Sequence, residues 1–155
     1  MNSLLTVVDV KDIVPYVSSK GHKFVQIFQA IPILEPFYME WEKNYDAASL
    51  ADWISSNHTL PIITVIAYLV LIFGGQHLMK NKEPYDLRKP LAYWNLFLCI
   101  FSFIGSLRVI PHFLFLTHAY GMHEVVCGAP EKLYGSGSAG FWVAAFILSK
   151  YFELI

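Results

Sequence analysis

Between Asp52 and Lys80 the chain carries no Asp, Glu, Lys or Arg. The second part of that interval, Leu60 to Met79 (LPIITVIAYLVLIFGGQHLM), has the roughly 20 residues that an α-helix needs to cross a hydrocarbon core. A second uncharged run extends from Pro90 to Leu107. Past Arg108 the apolar character resumes from Val109 to Leu116, so this helix either runs long or kinks at Pro111. A third run begins near Gly140 (GFWVAAFILSKYFELI), and the chain stops inside it. Soluble helices would show polar faces at helical period, and these show few. The expectation is an all-α, multi-span integral membrane protein, with two complete transmembrane helices and the start of a third.

The overall balance agrees. Charged residues make up 15% of the chain and hydrophobic residues 55%, where an ordinary soluble domain carries about 25% charged residues. That excludes disorder, a charged coiled coil and a basic nucleic-acid arm. A net charge of -1 steers no partner, and two cysteines build neither a disulfide scaffold nor a paired C-x-x-C zinc site.

Two regions are predicted, 1–59 ahead of the spans and 60–155 containing them. The opening MNSLLTVVDV lacks the basic region, long apolar stretch and cleavage site of a secretory signal peptide, so the first span would have to direct insertion. Phe24 to Met39 is apolar but broken by Pro32 and Pro36. Glu40 to Ser56 reads as one amphipathic helix whose Trp41, Tyr45 and Trp53 suit a membrane interface, the alternative being a short soluble lead-in. The loop Lys80 to Lys89 holds Lys80, Lys82, Arg88 and Lys89, whereas Ala119 to Ala139 holds only Lys132. Basic short loops stay cytosolic, which places the N-terminus and the Ala119 loop on the lumenal side. Asn57-His58-Thr59 is then a lumenal glycosylation sequon close to the bilayer.

Three features are costly in lipid. A charge such as Arg108 costs roughly 2.5–3.5 kcal/mol at a helix centre; a helix ending near Pro111 would let it snorkel to the lumenal surface. Lys150 and Glu153, three apart, share one helix face, either as a local ion pair or as a site lining a cavity. Asn95, Cys99, Ser102 and Ser106 form a small-polar stripe of the kind that packs helices together, and Thr64, Tyr68 and Gly75 read the same way. His112, His118 and His123 are six and five apart and do not align as helical metal ligands, while His22, His58 and His77 are isolated. No metal site is expected. Gly135-Ser136-Gly137-Ser138 lacks the ending of a phosphate loop and reads as a flexible linker. Cys127 faces an oxidising compartment, with Cys99, deep in a span, a poor partner.

Several short pieces are collinear: Phe73-Gly74-Gly75-Gln76-His77-Leu78-Met79, Leu87-Arg88-Lys89-Pro90-Leu91, Trp94-Asn95, Phe101-Ser102, Gly105-Ser106-Leu107-Arg108, and Phe146-Ile147-Leu148-Ser149-Lys150 with Glu153. Over residues 41–155 this run resembles the elongation-of-very-long-chain-fatty-acids (ELO) family, nearest its palmitate-elongating branch. The resemblance implies a seven-helix endoplasmic-reticulum membrane protein with a lumenal N-terminus. It implies condensation of a long-chain acyl-CoA with malonyl-CoA to a 3-oxoacyl-CoA, releasing carbon dioxide and CoA. Lys150 and Glu153 match the first two members of the family motif Lys-x-x-Glu-x-x-Asp-Thr and are the implied catalytic-chamber residues. Arg88 and Lys89, with Lys150, are the implied cations for CoA at a cytosolic mouth. No cofactor is implied beyond the co-substrate malonyl-CoA. The implied partners are the acyl-CoA, the bilayer, and other elongation enzymes or a second copy, with no nucleic acid. The family's His-x-x-His-His does not occur in these 155 residues, so the chain as given is expected to be an inactive fragment. The competing class is a small non-enzymatic membrane subunit or assembly protein.

Overall fold

The computed structural model describes residues 12–83 and 85–153. The opening MNSLLTVVDV, on which the signal-peptide reading rests, lies outside the described residues. The chain begins with an antiparallel hairpin, β1 (Tyr16–Val17) and β2 (Lys23–Phe24), in which Tyr16 pairs with Phe24. A short helix α1 (Ile27–Ala30) and a 3-10 helix over Pro32–Phe37 follow, then α2 (Glu40–Lys43), α3 (Ala48–Ser56), α4 (Thr59–Met79) and α5 (Arg88–Tyr120). Two short helices, α6 (Met122–Cys127) and α7 (Pro130–Leu133), lead into α8 (Gly137–Glu153). Apart from the two-residue strands, the regular structure among the described residues is helical.

The helices α4 and α5 are long and apolar enough to cross a bilayer. None of the apolar window of α4 is buried by the rest of the chain, and only 6% of that of α5. A core helix of a soluble protein would hide most of such a surface; these present Ile63, Val70, Phe97 and Phe103 outward. On α4 the least exposed residues, Leu60, Thr64, Tyr68, Ile72, Gly75 and Met79, recur every three or four positions and make one face. That face contains Thr64, Tyr68 and Gly75; Thr64 lines a cavity shared with α8, and nothing lies within 4 Å of where a Gly75 Cβ would stand.

Of the two options for the second span, the long helix is the one observed. Pro90 sits in the first turn of α5, where its missing N–H leaves no helical bond unmade, and α5 continues through Pro111 to Gly121. At about 1.5 Å per residue its 33 residues reach roughly 50 Å, against a hydrocarbon core of about 30 Å. The last turns therefore project beyond a bilayer, and there the helix becomes buried, at His112 and Leu116. Gly121 ends it with φ 87, a conformation that costs glycine little, its N–H bonded to the Thr117 carbonyl.

The hydrophobic core lies at this end of the molecule rather than between the spans. One cluster joins Ile13, Val25 and Ala30; a second joins Ile27, Phe28 and Tyr38; a third joins Leu116, Val125 and Leu133. Phe115 of α5 packs against all three. The N-terminal segment is thus folded onto the end of α5.

Three expectations need correction. Glu40 to Ser56 is not one amphipathic helix but α2 and α3, separated at Asn44–Ala47. The Asp46 carboxylate accepts the Ala48 N–H at 2.9 Å, which starts α3 afresh, and the Tyr45 carbonyl accepts the Gly137 N–H at 2.8 Å, which ties the break to α8. Gly135 to Ser138 is no flexible linker: Ser136, Gly137 and Ser138 are buried, and Asp46 pairs with Ser136 in a β-bridge. Arg108 does not snorkel to water at a helix end, because the helix does not end near Pro111.

Arg108 instead meets Glu42 of α2, which is 1% exposed. The Glu42 carboxylate accepts from the Ser138 hydroxyl at 2.8 Å, the Trp142 indole at 2.9 Å, the Met39 N–H at 2.9 Å and the Arg108 guanidinium at 3.3 Å. Arg108 also donates to the Phe37 carbonyl at 2.5 Å and lies over the Tyr38 ring, 4.5 Å from its centroid. Beside this cluster Gln26 donates to the Lys43 carbonyl at 3.0 Å and accepts the Ser138 N–H at 3.1 Å. One carboxylate therefore joins the N-terminal segment, α5 and α8.

Burial pushes the Glu42 carboxyl up, but its donors outweigh that and hold it below the ordinary value of 4.5. A depressed folded value stabilises above the unfolded one, so this contribution is complete above about pH 4.5 and fades as pH falls through the depressed range. Glu42→Ala leaves the guanidinium facing an empty site and should cost about 3–5 kcal/mol; Glu42→Gln, which keeps acceptors for Ser138 and Trp142, should cost about 1–3 kcal/mol. Thermal unfolding in detergent between pH 3 and 7 checks both, with the loss on acidification absent from the Gln variant. At Gly137, φ is 68 and a Cβ would lie 2.5 Å from the Gln26 side chain. Gly137→Ala should therefore lower the melting temperature by an amount matching about 2 kcal/mol or more.

Candidate functional site

Helices α5 and α8 pack antiparallel, and the closest approach is set by a missing side chain. A Cβ on Gly105 would stand 3.3 Å from Cε3 of Trp142, so the glycine lets the indole lie against α5. Trp142 also packs against Phe101, with ring centroids 5.7 Å apart. Alongside runs a groove of about 250 Å³ lined by Ser102, Gly105 and Ser106 of α5 and Trp142, Val143 and Phe146 of α8. All four residues of the predicted stripe are exposed; Ser102 and Ser106 line this groove and Asn95 and Cys99 do not.

Lys150 and Glu153 lie at the far end of α8. Lys150 Nζ donates to Glu153 Oε2 at 2.8 Å and Oε1 at 3.0 Å, and the Ser149 hydroxyl donates to Oε1 at 2.9 Å. The ammonium also sits 4.3 Å from the centroid of the Phe146 ring. The pair is thus a local i, i+3 ion pair, and Lys150 in addition lines a cavity of about 430 Å³ between α4 and α8, with Pro61, Thr64 and Val65. The ion-pair alternative is the one observed; Glu153 does not line the cavity. The carboxylate is oriented and charge-balanced, an arrangement suited to holding a neighbouring donor or cation.

Arg88 and Lys89 open α5 and are exposed; the Asp86 carboxylate accepts the Arg88 N–H at 3.2 Å. Counting from the Gly105–Trp142 contact, Lys150 stands level with about Phe97, and Arg88 roughly 13 Å beyond it along the helix. The structure therefore puts Lys150, Arg88 and Lys89 toward the same end of the α5–α8 pair without bringing them into contact. Two cations there add to the positive end of the α5 dipole, a field that favours anions.

Among the histidines, His112 is buried and its Nε2–H donates to the Leu133 carbonyl at 3.0 Å, which fixes α7 beneath α5. Among the described residues no group of three or more His, Cys, Asp or Glu converges as a metal site. Cys99 and Cys127 are both free. Asn57 caps the end of α3, its Nδ2 donating to the Trp53 carbonyl at 2.7 Å, two residues before α4 begins. Sequence reasoning missed Glu42, Trp142 and Gln26. The one available signal was Arg108, since a guanidinium in an uncharged span demands a partner from elsewhere.

Residues 53–155 match the GNS1/SUR4 (ELO) family. The chain is 35% identical over 115 residues to a very long chain fatty acid elongase 6 of Gallus gallus, covering 74% of this chain and 43% of that protein. The protein of that name in Mus musculus is also 35% identical over 115 residues, 74% of this chain and 42% of its own length. A putative fatty acid elongase 3 of Caenorhabditis elegans is 34% identical over 120 residues, 76% of this chain and 37% of its own. No solved structure matches. The chain spans less than half the length of these relatives, and by the match over both complete spans and α8 it belongs to the GNS1/SUR4 (ELO) family of membrane-embedded fatty acid elongases.

Proposed function

We propose that these residues form the N-terminal helices of an elongase that condenses a long-chain acyl-CoA with malonyl-CoA. The products are a 3-oxoacyl-CoA, carbon dioxide and CoA, and the reaction takes place in the endoplasmic-reticulum membrane. The observation that carries this reading is the Lys150–Glu153 pair, placed past the end of an apolar α5–α8 groove, with Arg88 and Lys89 further along α5. An acyl chain suits the groove, and the phosphates of CoA suit the cationic end. Lys150 and Glu153 organise the chamber by hydrogen bonds to neighbouring helices. The imidazole of a His-x-x-His-His, a motif these 155 residues do not contain, takes the acyl group or the proton, so this span by itself is inactive.

The orientation proposed puts the Lys80–Lys89 loop in the cytosol and the N-terminal segment in the lumen. Trypsin added to sealed microsomes should cleave at Lys80, Lys82 or Arg88 and spare the exposed Lys20 and Lys23 until detergent is added. Cleavage at the latter sites in intact vesicles would reverse the topology.

Glu153→Gln and Lys150→Ala, expressed from the complete open reading frame, should each lower malonyl-CoA incorporation by about 10²-fold or more. Expression level and melting temperature of each variant, measured alongside, separate a loss of activity from a loss of fold. Undiminished elongation in both variants removes the proposed role; a complete open reading frame with no histidine box favours the non-enzymatic subunit.

A further inference from the structure

A cleft of about 340 Å³ separates α3 from the first half of α8. Its walls are Ala47, Leu50, Ala51 and Ile54 on one side and Val143, Ala144 and Ile147 on the other. The polar lining gathers near the start of α8: Asp46 pairs with Ser136 just ahead of that helix, and Ser18, Lys20 and His22 belong to the turn whose Ser19 N–H donates to Asp46. Ile147 lies ten residues further on, roughly 15 Å along α8. Ile147 also lines the cavity between α4 and α8, so the apolar surface continues along the spanning helices.

A cavity with a polar rim at one end and an apolar wall running into the membrane has the layout of an amphiphile. An empty gap there would forfeit the dispersion contacts of every atom lining it, whereas lipid chains are at hand on either side of α4 and α8. The rim carries both signs of charge. Lys20 pairs with Asp52, which lies just outside the lining and takes up one of its three donors, and Asp46, which accepts the Ser19 and Ala48 N–H groups, lines the same rim. A cation beside two carboxylates complements a phosphate linked to an ammonium better than it does a purely anionic head.

We propose that this cleft holds one acyl chain of a zwitterionic phospholipid of the host bilayer, its phosphate beside Lys20 and its ammonium toward Asp46 and Asp52. The bound lipid fills the space between α3 and α8. This site is separate from the Lys150–Glu153 pair and does not depend on the elongase reading.

The test uses the protein expressed from its complete open reading frame, reconstituted in dioleoylphosphatidylcholine bilayers, extracted in detergent and weighed by native mass spectrometry. One phosphatidylcholine should remain per chain after detergent exchange. Ala144→Trp and Ala51→Leu, which fill the cleft from opposite walls, should each reduce the retained lipid several-fold. Lys20→Ala, an exposed position that leaves the walls intact, should also weaken retention, and it keeps the test decisive where a wall variant does not fold. Retention unchanged in the folded variants would overturn the proposal. So would a photoreactive benzoylphenylalanine at position 144 that captures a peptide, from this polypeptide or a second copy, instead of lipid. The readout is lipid mass, so its failure leaves the elongation assay untouched.

Discussion

A guanidinium and a carboxylate, each costly to place where it is, make the fold around Arg108 and Glu42 possible. Arg108 occupies a helix whose neighbours are Leu107 and Val109, and Glu42 is closed off from water. Either alone would carry a desolvation penalty of several kcal/mol. Together, with Ser138, Trp142, Met39 and Phe37 supplying the remaining hydrogen bonds, both carboxylate oxygens and the Nε and Nη2 groups of the guanidinium have partners; no buried side-chain polar atom among the described residues is left without one. The geometry is demanding because the partners come from three stretches of chain, residues 37–42, Arg108 and residues 138–142. That demand is what fixes how the N-terminal segment sits on α5 and α8.

A membrane setting explains why such a polar cluster is used. The hydrophobic effect that packs helices in water is nearly absent between helices in lipid, where acyl chains are as apolar as the side chains. The exposed faces of α4 and α5 show this: Phe, Leu and Ile cover them with little burial among themselves. Close packing is limited to places where a small residue permits it, as at Gly105 against Trp142. Outside the spans the usual rules return, and Phe115 gathers three apolar clusters that include Phe28, Tyr38 and Leu133. The register of α8 against α5 is thus set twice, by Trp142 in the groove and by Ser138 on Glu42. Lys150, two turns beyond Trp142 on the same rigid helix, inherits its position from both.

The spans were legible because one physical requirement, an uncharged stretch of sufficient length, is written in consecutive residues. Leu60 to Met79 matches α4 within one position, and the run from Pro90 sits two residues inside α5. The N-terminal segment was not legible. Phe24 to Tyr38 has no period, since it folds as a strand, a single helical turn and a 3-10 helix around Pro32 and Pro36, and its burial comes from the distant Phe115. Glu42 looked like one charge on an amphipathic face because its partners are 66, 96 and 100 residues away. At Gly137 a flexible-linker composition concealed a positive φ and a contact with Gln26 that only the assembled fold imposes. For the candidate site, spacing alone placed Lys150 and Glu153 on one face, but the level of Arg88 relative to Lys150 follows only from the α5–α8 contact.

That level matters to the chemistry proposed. A thioester held near Lys150 would have to send the rest of CoA toward Arg88 and Lys89, roughly 13 Å further along α5, and its acyl chain the opposite way, along Ser102, Ser106 and Phe146. In the reaction proposed, substrate enters from one direction: charge at one end, apolar groove in the middle, and Trp142 against the cluster around Glu42 at the other end. A chain lying in the groove would meet Trp142 before it met that cluster. The indole is pinned by its N–H on Glu42 at 2.9 Å, so what the carboxylate does for the fold it also does for the wall of the groove. Loss of Glu42 would free the ring as well as the segment, and the two consequences share one cause.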